Sequence, residues 1–165
     1  MNRTVIKNFA VWARETLFTA AEEQINKSSV SDVCGEELAY HWFSRIIALR
    51  FMEINGFLPE GISVFEDRYD EAQNPDVVFA KNFQKGCEYL CRLMPRIFTA
   101  EFQQWQPVLS FSDENGIIRR LMRDIPVEEM DLSGSGQVEI IGWLHQYYNG
   151  APKDETYALL KQNVK

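Results

Sequence analysis

Residues 36–57, EELAYHWFSRIIALRFMEINGF, decide the fold. Their apolar side chains recur every three or four positions, which is the spacing of an α-helix, and they cover most of its circumference. Two glutamates open the stretch and an Asn-Gly pair closes it, as is typical of helix ends. Because such a helix must be buried, we predict that it is the central helix of the protein. Arg45 and Arg50 interrupt its apolar surface, so we expect each of them to pair with a buried carboxylate.

Helical periodicity also dominates the rest of the chain. Further helices are predicted over Thr4–Lys27, 76–82, 85–97 (bent or ended near Pro95), 114–124, 137–148 (closed by Asn149-Gly150) and 152–160. Loops are predicted at 28–33, 57–75 and Val127–Gly134. The first offers N-cap residues for the helix after it. For the second, a short strand pairing around Ile62–Phe65 is the alternative. Because strand signals are sparse and no internal repeat occurs, we predict an all-α fold. It is a single domain over residues 1–165, with about six or seven helices and irregular loops.

The composition restricts the class of protein. The chain has 165 residues, 45% of them hydrophobic, and a formal net charge of −7, which is typical of a globular domain and disfavours sequence-independent nucleic-acid binding. No apolar run approaches the roughly 20 residues of a membrane span, and no signal peptide is recognisable. The odd count of three cysteines favours reduced thiols in a cytoplasmic protein. A metal site of Cys34, Cys87, Cys91 and His41 is the alternative, but it lacks the usual ligand spacing.

One glycine-rich segment, Asp131–Gly136 (DLSGSG), resembles the loop that holds S-adenosylmethionine in methyltransferases. Such a loop needs a buried strand before it, whereas residues 125–130 contain a proline and two glutamates. An interhelical loop is therefore the favoured interpretation. The chain also lacks an Asn/Asp-Pro-Pro-Tyr/Phe run, a PD-(D/E)xK motif, a Walker loop, HExxH and GxSxG. His145 is interpreted as a structural histidine, and no catalytic, cofactor-binding or metal-binding residue is predicted.

Two groups of side chains are candidates for contact with DNA or with a neighbouring domain. Arg119, Arg120 and Arg123 lie within about one and a half helical turns, and clustered guanidinium groups can bind phosphate even on an acidic protein. Their alternative role is ion pairing with the acidic residues of the chain. Trp143, Tyr147 and Tyr148 share a predicted helix, and they serve either the core or an interface with another domain.

Two longer stretches resemble a known family. They are AYHWFSRIIALRFMEINGFLP at 39–59, and GIIRRLMRDIP at 116–126 followed by VEIIGWLHQYY at 138–148, with Lys153-Asp154-Glu155 at the expected place after them. These stretches resemble the N-terminal region of the PglX-like adenine-specific DNA methyltransferases. That family belongs to BREX phage-defence systems and is related to type II restriction-modification methylases. With the opening helix included, the resemblance covers nearly the whole chain.

The resemblance implies a part of a larger protein. Members of the family are much longer, and their cofactor and base-gripping motifs are expected after the last segment seen here. We therefore expect an N-terminal fragment that lacks the catalytic domain and does not methylate DNA by itself. The full-length protein would transfer a methyl group from S-adenosylmethionine to a flipped adenine. The helical domain would brace its own C-terminal methyltransferase domain and help position DNA or other defence-system proteins. A stand-alone protein–protein interaction adaptor is the alternative.

Overall fold

A computed structural model describes residues 2–28, 33–65, 73–99, 105–107 and 109–150. These residues form six helices and no β-strand, so the predicted all-α class is confirmed. The helices are α1 (Arg3–Lys27), α2 (Gly35–Ile54), α3 (Pro75–Leu93), α4 (Ile117–Asp124), α5 (Val127–Met130) and α6, which covers 139–150.

Helix α2 lies at the centre of the protein, as its sequence predicts. Helices α1, α3 and α5 all pack against it, and Tyr148 of α6 stacks on Phe43 of α2 with ring centroids 4.3 Å apart. More than half of its residues are buried, over most of the circumference of the helix. Burial of apolar surface contributes about 25 cal/mol per Å², so α2 supplies much of the free energy of folding. The buried residues of α2 are Gly35, Leu38, Ala39, Trp42, Phe43, Arg45, Ile46, Ile47, Leu49, Arg50 and Phe51.

The ends of the first two helices follow from their sequence. The side chain of Asn2 accepts hydrogen bonds from the backbone N–H groups of Thr4 and Val5, and so caps α1. Helix α2 ends at Asn55, and Gly56 follows with a φ of +69°, a left-handed conformation that glycine adopts at little cost. The predicted ends of these helices are therefore confirmed to within one residue. The cap that begins α2 is Cys34 rather than a residue of the polar stretch 28–33, of which 29–32 lie outside the described residues.

Helix α3 differs from the prediction of two separate pieces. It is continuous from Pro75 to Leu93, because one buried stripe formed by Phe79, Phe83, Cys87 and Leu90 crosses the predicted break. These residues repeat every three or four positions, so the stripe holds the helix against α2. The helix ends two residues before Pro95, as predicted, since the residue that precedes a proline disfavours the helical conformation.

The second half of the chain corrects three further predictions. Helix α4 begins at Ile117 rather than 114, because 114–116 form a turn in which the Gly116 N–H donates to Asp113 O at 3.0 Å. Residues 127–130 form the short helix α5, where a turn was expected. Residues 149 and 150 are themselves helical, so within the described residues α6 extends beyond the predicted end at 148. The predicted helix at 152–160 and the Lys153-Asp154-Glu155 segment lie outside the described residues.

Two carboxylates of the helices hold the irregular segments. Glu53 of α2 accepts the backbone N–H groups of Val64 and Phe65, the latter at 2.7 Å, so this stretch is a loop and not a strand pairing. Asp76 of α3 accepts the N–H groups of Phe111 and Ser112, both at 2.8 Å. These bonds, led by the one from the backbone of Ser112, lower the pKa of Asp76 below its usual range. Both loops are therefore fixed by charge-assisted hydrogen bonds.

Close packing of α3 on α2 leads to a testable prediction at Gly86. A Cβ atom there would lie 2.8 Å from Leu49 Cδ2 and 3.3 Å from Val64 Cγ2. We expect Gly86→Leu to lower the free energy of unfolding by about 1–3 kcal/mol, because overpacking forces the neighbours apart. Gly142→Leu is the matched control, since no atom lies within 4 Å of the position that its Cβ would take, and leucine favours a helix by up to about 1 kcal/mol. Urea unfolding followed by circular dichroism measures both, and equal stability of the two variants would contradict the packing described.

Candidate functional site

A cavity of about 380 Å³ lies between α2, residues 94–98 and α6. Its walls are mostly apolar, but five polar side chains also line it: Tyr40, His41, Ser44, Arg45 and His145. Four of the five come from the middle of α2, where they occupy one face of the helix. Concave, mostly apolar sites with a few polar groups are typical of ligand-binding pockets, which makes this cavity the candidate functional site.

Arg45 is the charged group of the cavity, and only 5% of its surface is exposed. Its Nη1 lies 2.8 Å from His41 Nδ1 and 3.1 Å from the His41 carbonyl oxygen, and its Nη2 donates to Thr99 O at 2.7 Å. Its Cζ atom lies 5.8 Å from the ring centroid of Phe98. The ion pairs formed among the described residues do not include Arg45, so a carboxylate partner for it is not found there and stays a prediction. The groups that bond to this cation within the described ranges are neutral.

Arg50, the second arginine of α2, also forms no ion pair among the described residues. It is buried, its Cζ atom lies 5.5 Å from the ring centroid of Phe65, and its Nε has no hydrogen-bond partner among the described residues. Burial lowers the pKa of its guanidinium, although the nearby charge of Glu53 opposes this effect. Glu53 makes its hydrogen bonds with the backbone of the 64–65 loop instead. Arg50 does not line the cavity.

His41 is held as a neutral ring by its contact with Arg45. An arginine can only donate, so His41 Nδ1 accepts and the ring proton lies on Nε2. Burial lowers the pKa of His41 below its ordinary value, and the positive charge of Arg45 lowers it further, against a smaller opposing effect of Glu37. A protonated His41 would place a second cation beside the buried guanidinium.

Both ring nitrogens of His145 are engaged by neighbours, which is consistent with its interpretation as a structural histidine. Its Nδ1 donates to the Ile141 carbonyl oxygen at 2.8 Å, and in the neutral ring its Nε2 accepts the hydroxyl of Ser44 at 3.1 Å. The ring also packs edge-on against Phe43. A serine in the middle of a helix lacks free backbone N–H groups beside it, because these bond within the helix, and so it has no oxyanion hole of its own. The pair is suited to orienting a bound group rather than to acyl transfer.

The three arginines predicted on α4 have different environments. Arg119 Nε donates to Phe111 O at 2.7 Å, and its Cζ atom lies 4.2 Å from the Phe111 ring centroid. Arg120 pairs with Asp124 at 3.1 Å and stacks on Trp12, at 4.1 Å from the ring centroid. Arg123 is the most accessible, with 59% of its side chain exposed and a longer contact of 3.8 Å to Asp124. Internal contacts thus occupy Arg119 and Arg120, whereas Arg123 faces solvent.

The predicted aromatic contacts lie on α6. Trp143 and Tyr147 are half-buried and pack against the core, and Arg3 of α1 lies over the Trp143 ring at 4.7 Å. Among the described residues, no hydrogen bond, ion pair or ring contact joins the α4 arginines to Trp143 or Tyr147. The two groups of candidate residues therefore form separate surfaces.

The glycine-rich loop connects α5 to α6, as interpreted from the sequence. A helix precedes it rather than a buried strand, and Asn55 of α2 binds it through Met130 O and the Leu132 N–H, each at 2.9 Å. A Cβ atom on Gly136 would lie 2.5 Å from the backbone nitrogen of Asp131, so this glycine is needed by the turn itself. Hydrogen bonds from Ser133 lower the pKa of Asp131 and keep its carboxylate within the loop.

The cysteines are free thiols, as predicted. Burial raises the pKa of Cys87 to about 12, so its thiol stays protonated and is a poor metal ligand. Within the described ranges, no three His, Cys, Asp or Glu residues come together in a way that could bind a metal ion. Among the described residues, no helix is both long enough and apolar enough to cross a bilayer.

Two known proteins are similar to this chain. Over an alignment of 157 residues it is 34% identical to the adenine-specific methyltransferase PglX of Lacticaseibacillus casei (strain Zhang). This alignment covers 74% of the chain and 13% of that protein. Over an alignment of 173 positions it is 31% identical to the adenine-specific methyltransferase BrxX of Escherichia coli O9:H4 (strain HS). This alignment covers 86% of the chain and 14% of that protein. The chain is similar to the N-terminal region of PglX-like methyltransferases.

The resemblance to the PglX-like proteins seen in the sequence is therefore confirmed. The chain spans only 13% and 14% of the lengths of these two relatives. No protein-family model and no solved structure matches it. The cavity, which the sequence did not predict, is formed in part by the segment 39–59 that carries the resemblance.

The contact between His41 and Arg45 predicts a pH dependence of stability. In the unfolded chain His41 titrates near its ordinary pKa of 6.5, whereas its folded pKa is lower. The stability contributed by the neutral ring is therefore present above pH 6.5 and is lost as the pH falls towards the folded pKa. We expect the midpoint temperature of thermal unfolding to be lower at about pH 5.5 than at about pH 7.5. The difference should be smaller in His41→Gln, which cannot titrate.

His145→Gln is the matched control for this measurement, because it removes a histidine that has no contact with Arg45 among the described residues. The pH dependence should persist in that variant. The same slope in His41→Gln as in the unchanged protein would show that His41 is not its origin.

Proposed function

We propose that this chain is the helical, non-catalytic N-terminal domain of an adenine-specific DNA methyltransferase of a restriction-modification or BREX phage-defence system. In this role it braces the catalytic domain and helps position DNA or protein partners. One observation carries the proposal: most of the chain aligns with two adenine-specific methyltransferases, but it spans only 13% and 14% of them. The S-adenosylmethionine site and the methyl transfer are assigned to the remainder of the full-length protein, which acts on DNA in the cytoplasm.

The surface of the domain supports a bracing role. Several large apolar side chains are exposed, among them Ile97 at 66%, Val77 at 65% and Val138 at 54%. Interfaces between domains bury apolar groups of this kind together with polar ones. The loops fixed by Glu53 and Asp76 are tied to the helices by hydrogen bonds, which suits a part that holds other parts in place.

Deletion in the complete protein tests this function. The whole reading frame that contains the chain is expressed with and without residues 1–165, and N6-methyladenine in the cellular DNA is measured by sequencing. We expect the deletion to reduce methylation by about tenfold or more, since a small displacement of an active site can cost that much. Calorimetric titration with S-adenosylmethionine should show binding to the truncated protein and none to the isolated chain.

Three results would contradict the proposal. Undiminished methylation by the truncated protein would exclude a bracing role. Saturable binding of S-adenosylmethionine to the isolated chain would contradict its non-catalytic assignment. A natural stop codon directly after Lys165 would favour the stand-alone adaptor, for which the exposed apolar side chains would be the docking surface.

The arginines of α4 provide a separate test of DNA contact. If Arg123 binds a phosphate, we expect Arg123→Ala to reduce the slope of log affinity against log salt by about one unit in the full-length protein. Arg119→Ala should mainly lower the thermal midpoint, because Arg119 is bonded to Phe111. Unchanged DNA binding after replacement of Arg119, Arg120 and Arg123 by alanine would rule out this surface, and the same measurement on Trp143→Ala and Tyr147→Ala tests the α6 surface.

A further inference from the structure

The cavity between α2, residues 94–98 and α6 changes from polar to apolar along its length. At its polar part, Ser44 of α2 and His145 of α6 meet at 3.1 Å, and Arg45 lies one position further along α2. One and two turns later α2 contributes Ala48 and Met52 to the lining. A ligand that fits this lining has a polar head and an apolar body.

The charge of Arg45 determines which polar head fits. Its guanidinium has five N–H groups. Nη1 contacts the ring and the carbonyl oxygen of His41, and Nη2 donates to the carbonyl oxygen of Thr99. Its partners, His41 and the carbonyl of Thr99, carry no negative charge in this arrangement. A cation that is 5% exposed and has no anionic partner among the described residues is costly, because burial removes its hydration. An anion entering the cavity would offset that cost.

We propose that this cavity binds a small apolar carboxylate, with Arg45 holding the carboxylate and the apolar walls holding the hydrocarbon part. The volume of about 380 Å³ falls in the range of small-molecule pockets. It exceeds twice the cavity of about 150 Å³ that takes up benzene, so a medium-chain fatty acid or a bicyclic aromatic acid fits. Arg45 lies too deep for the flat surface of a protein partner to reach, which favours a slender ligand.

Calorimetric titration of the isolated chain with octanoate and with octan-1-ol tests the proposal. The two probes share their chain length and differ in charge, so the alcohol is the matched control. We expect octanoate to bind at one site at millimolar concentrations or below, and about tenfold more tightly than the alcohol. A parallel titration with 2-naphthoate distinguishes a linear ligand from a planar one.

Two variants connect the binding to the cavity. Arg45→Met keeps an unbranched, flexible side chain and removes the charge, and it should weaken octanoate binding about tenfold or more while leaving octan-1-ol unaffected. Arg50→Met is the matched control, because Arg50 is also buried on α2 but does not line the cavity. It should bind octanoate as the unchanged chain does. In NMR spectra, octanoate should shift the methyl signals of Ile141 and Met52.

Several results would overturn the proposal. These are the absence of octanoate saturation, equal affinity for octan-1-ol, and an equal loss of affinity in Arg50→Met. Capture of an acidic protein segment by the chain without octanoate binding would assign the cavity to a macromolecular partner instead. If Arg45→Met does not fold, Ala48→Phe fills the apolar part and should abolish octanoate binding; unchanged binding by that variant would also overturn the proposal.

Discussion

The structure depends on the burial of α2 over most of its circumference. Burial of its apolar side chains by the surrounding helices supplies the driving force, but it also removes water from the polar groups on the buried sides of the helix. Such groups are stabilised by partners within the protein. Glu53 accordingly binds two backbone N–H groups of the following loop, and Asn55 binds the loop after α5. These two irregular segments are held in place because their backbone groups form hydrogen bonds with polar side chains of α2.

Much of this fold follows from local sequence rules. Helix α1 covers the predicted range to within one residue, and α2 ends where the Asn55-Gly56 pair indicates. The break predicted within α3 was wrong, because the buried stripe from Phe79 to Leu90 continues through it. The short helix α5 was missed because four residues show too little periodicity to distinguish a helical turn from a loop.

The cavity was harder to predict, since it joins three segments that lie far apart in the sequence. Only the contribution of α2 left a signal: Tyr40, His41, Ser44 and Arg45 share one face of an otherwise apolar helix. The sequence indicated that Arg45 needs a partner, but not that a histidine one turn earlier and the carbonyl of Thr99 would provide it. Tertiary packing decides that choice, and the sequence of one helix does not contain it.

The distribution of the thiols has a practical consequence. Cys34 is exposed at the start of α2, Cys87 is buried with a protonated sulfur, and Cys91 is only partly accessible. A maleimide dye should therefore modify Cys34 first, without any engineered residue. A fluorophore there would sit at the junction of α1 and α2, and could report by energy transfer on the distance to any larger assembly that the domain joins.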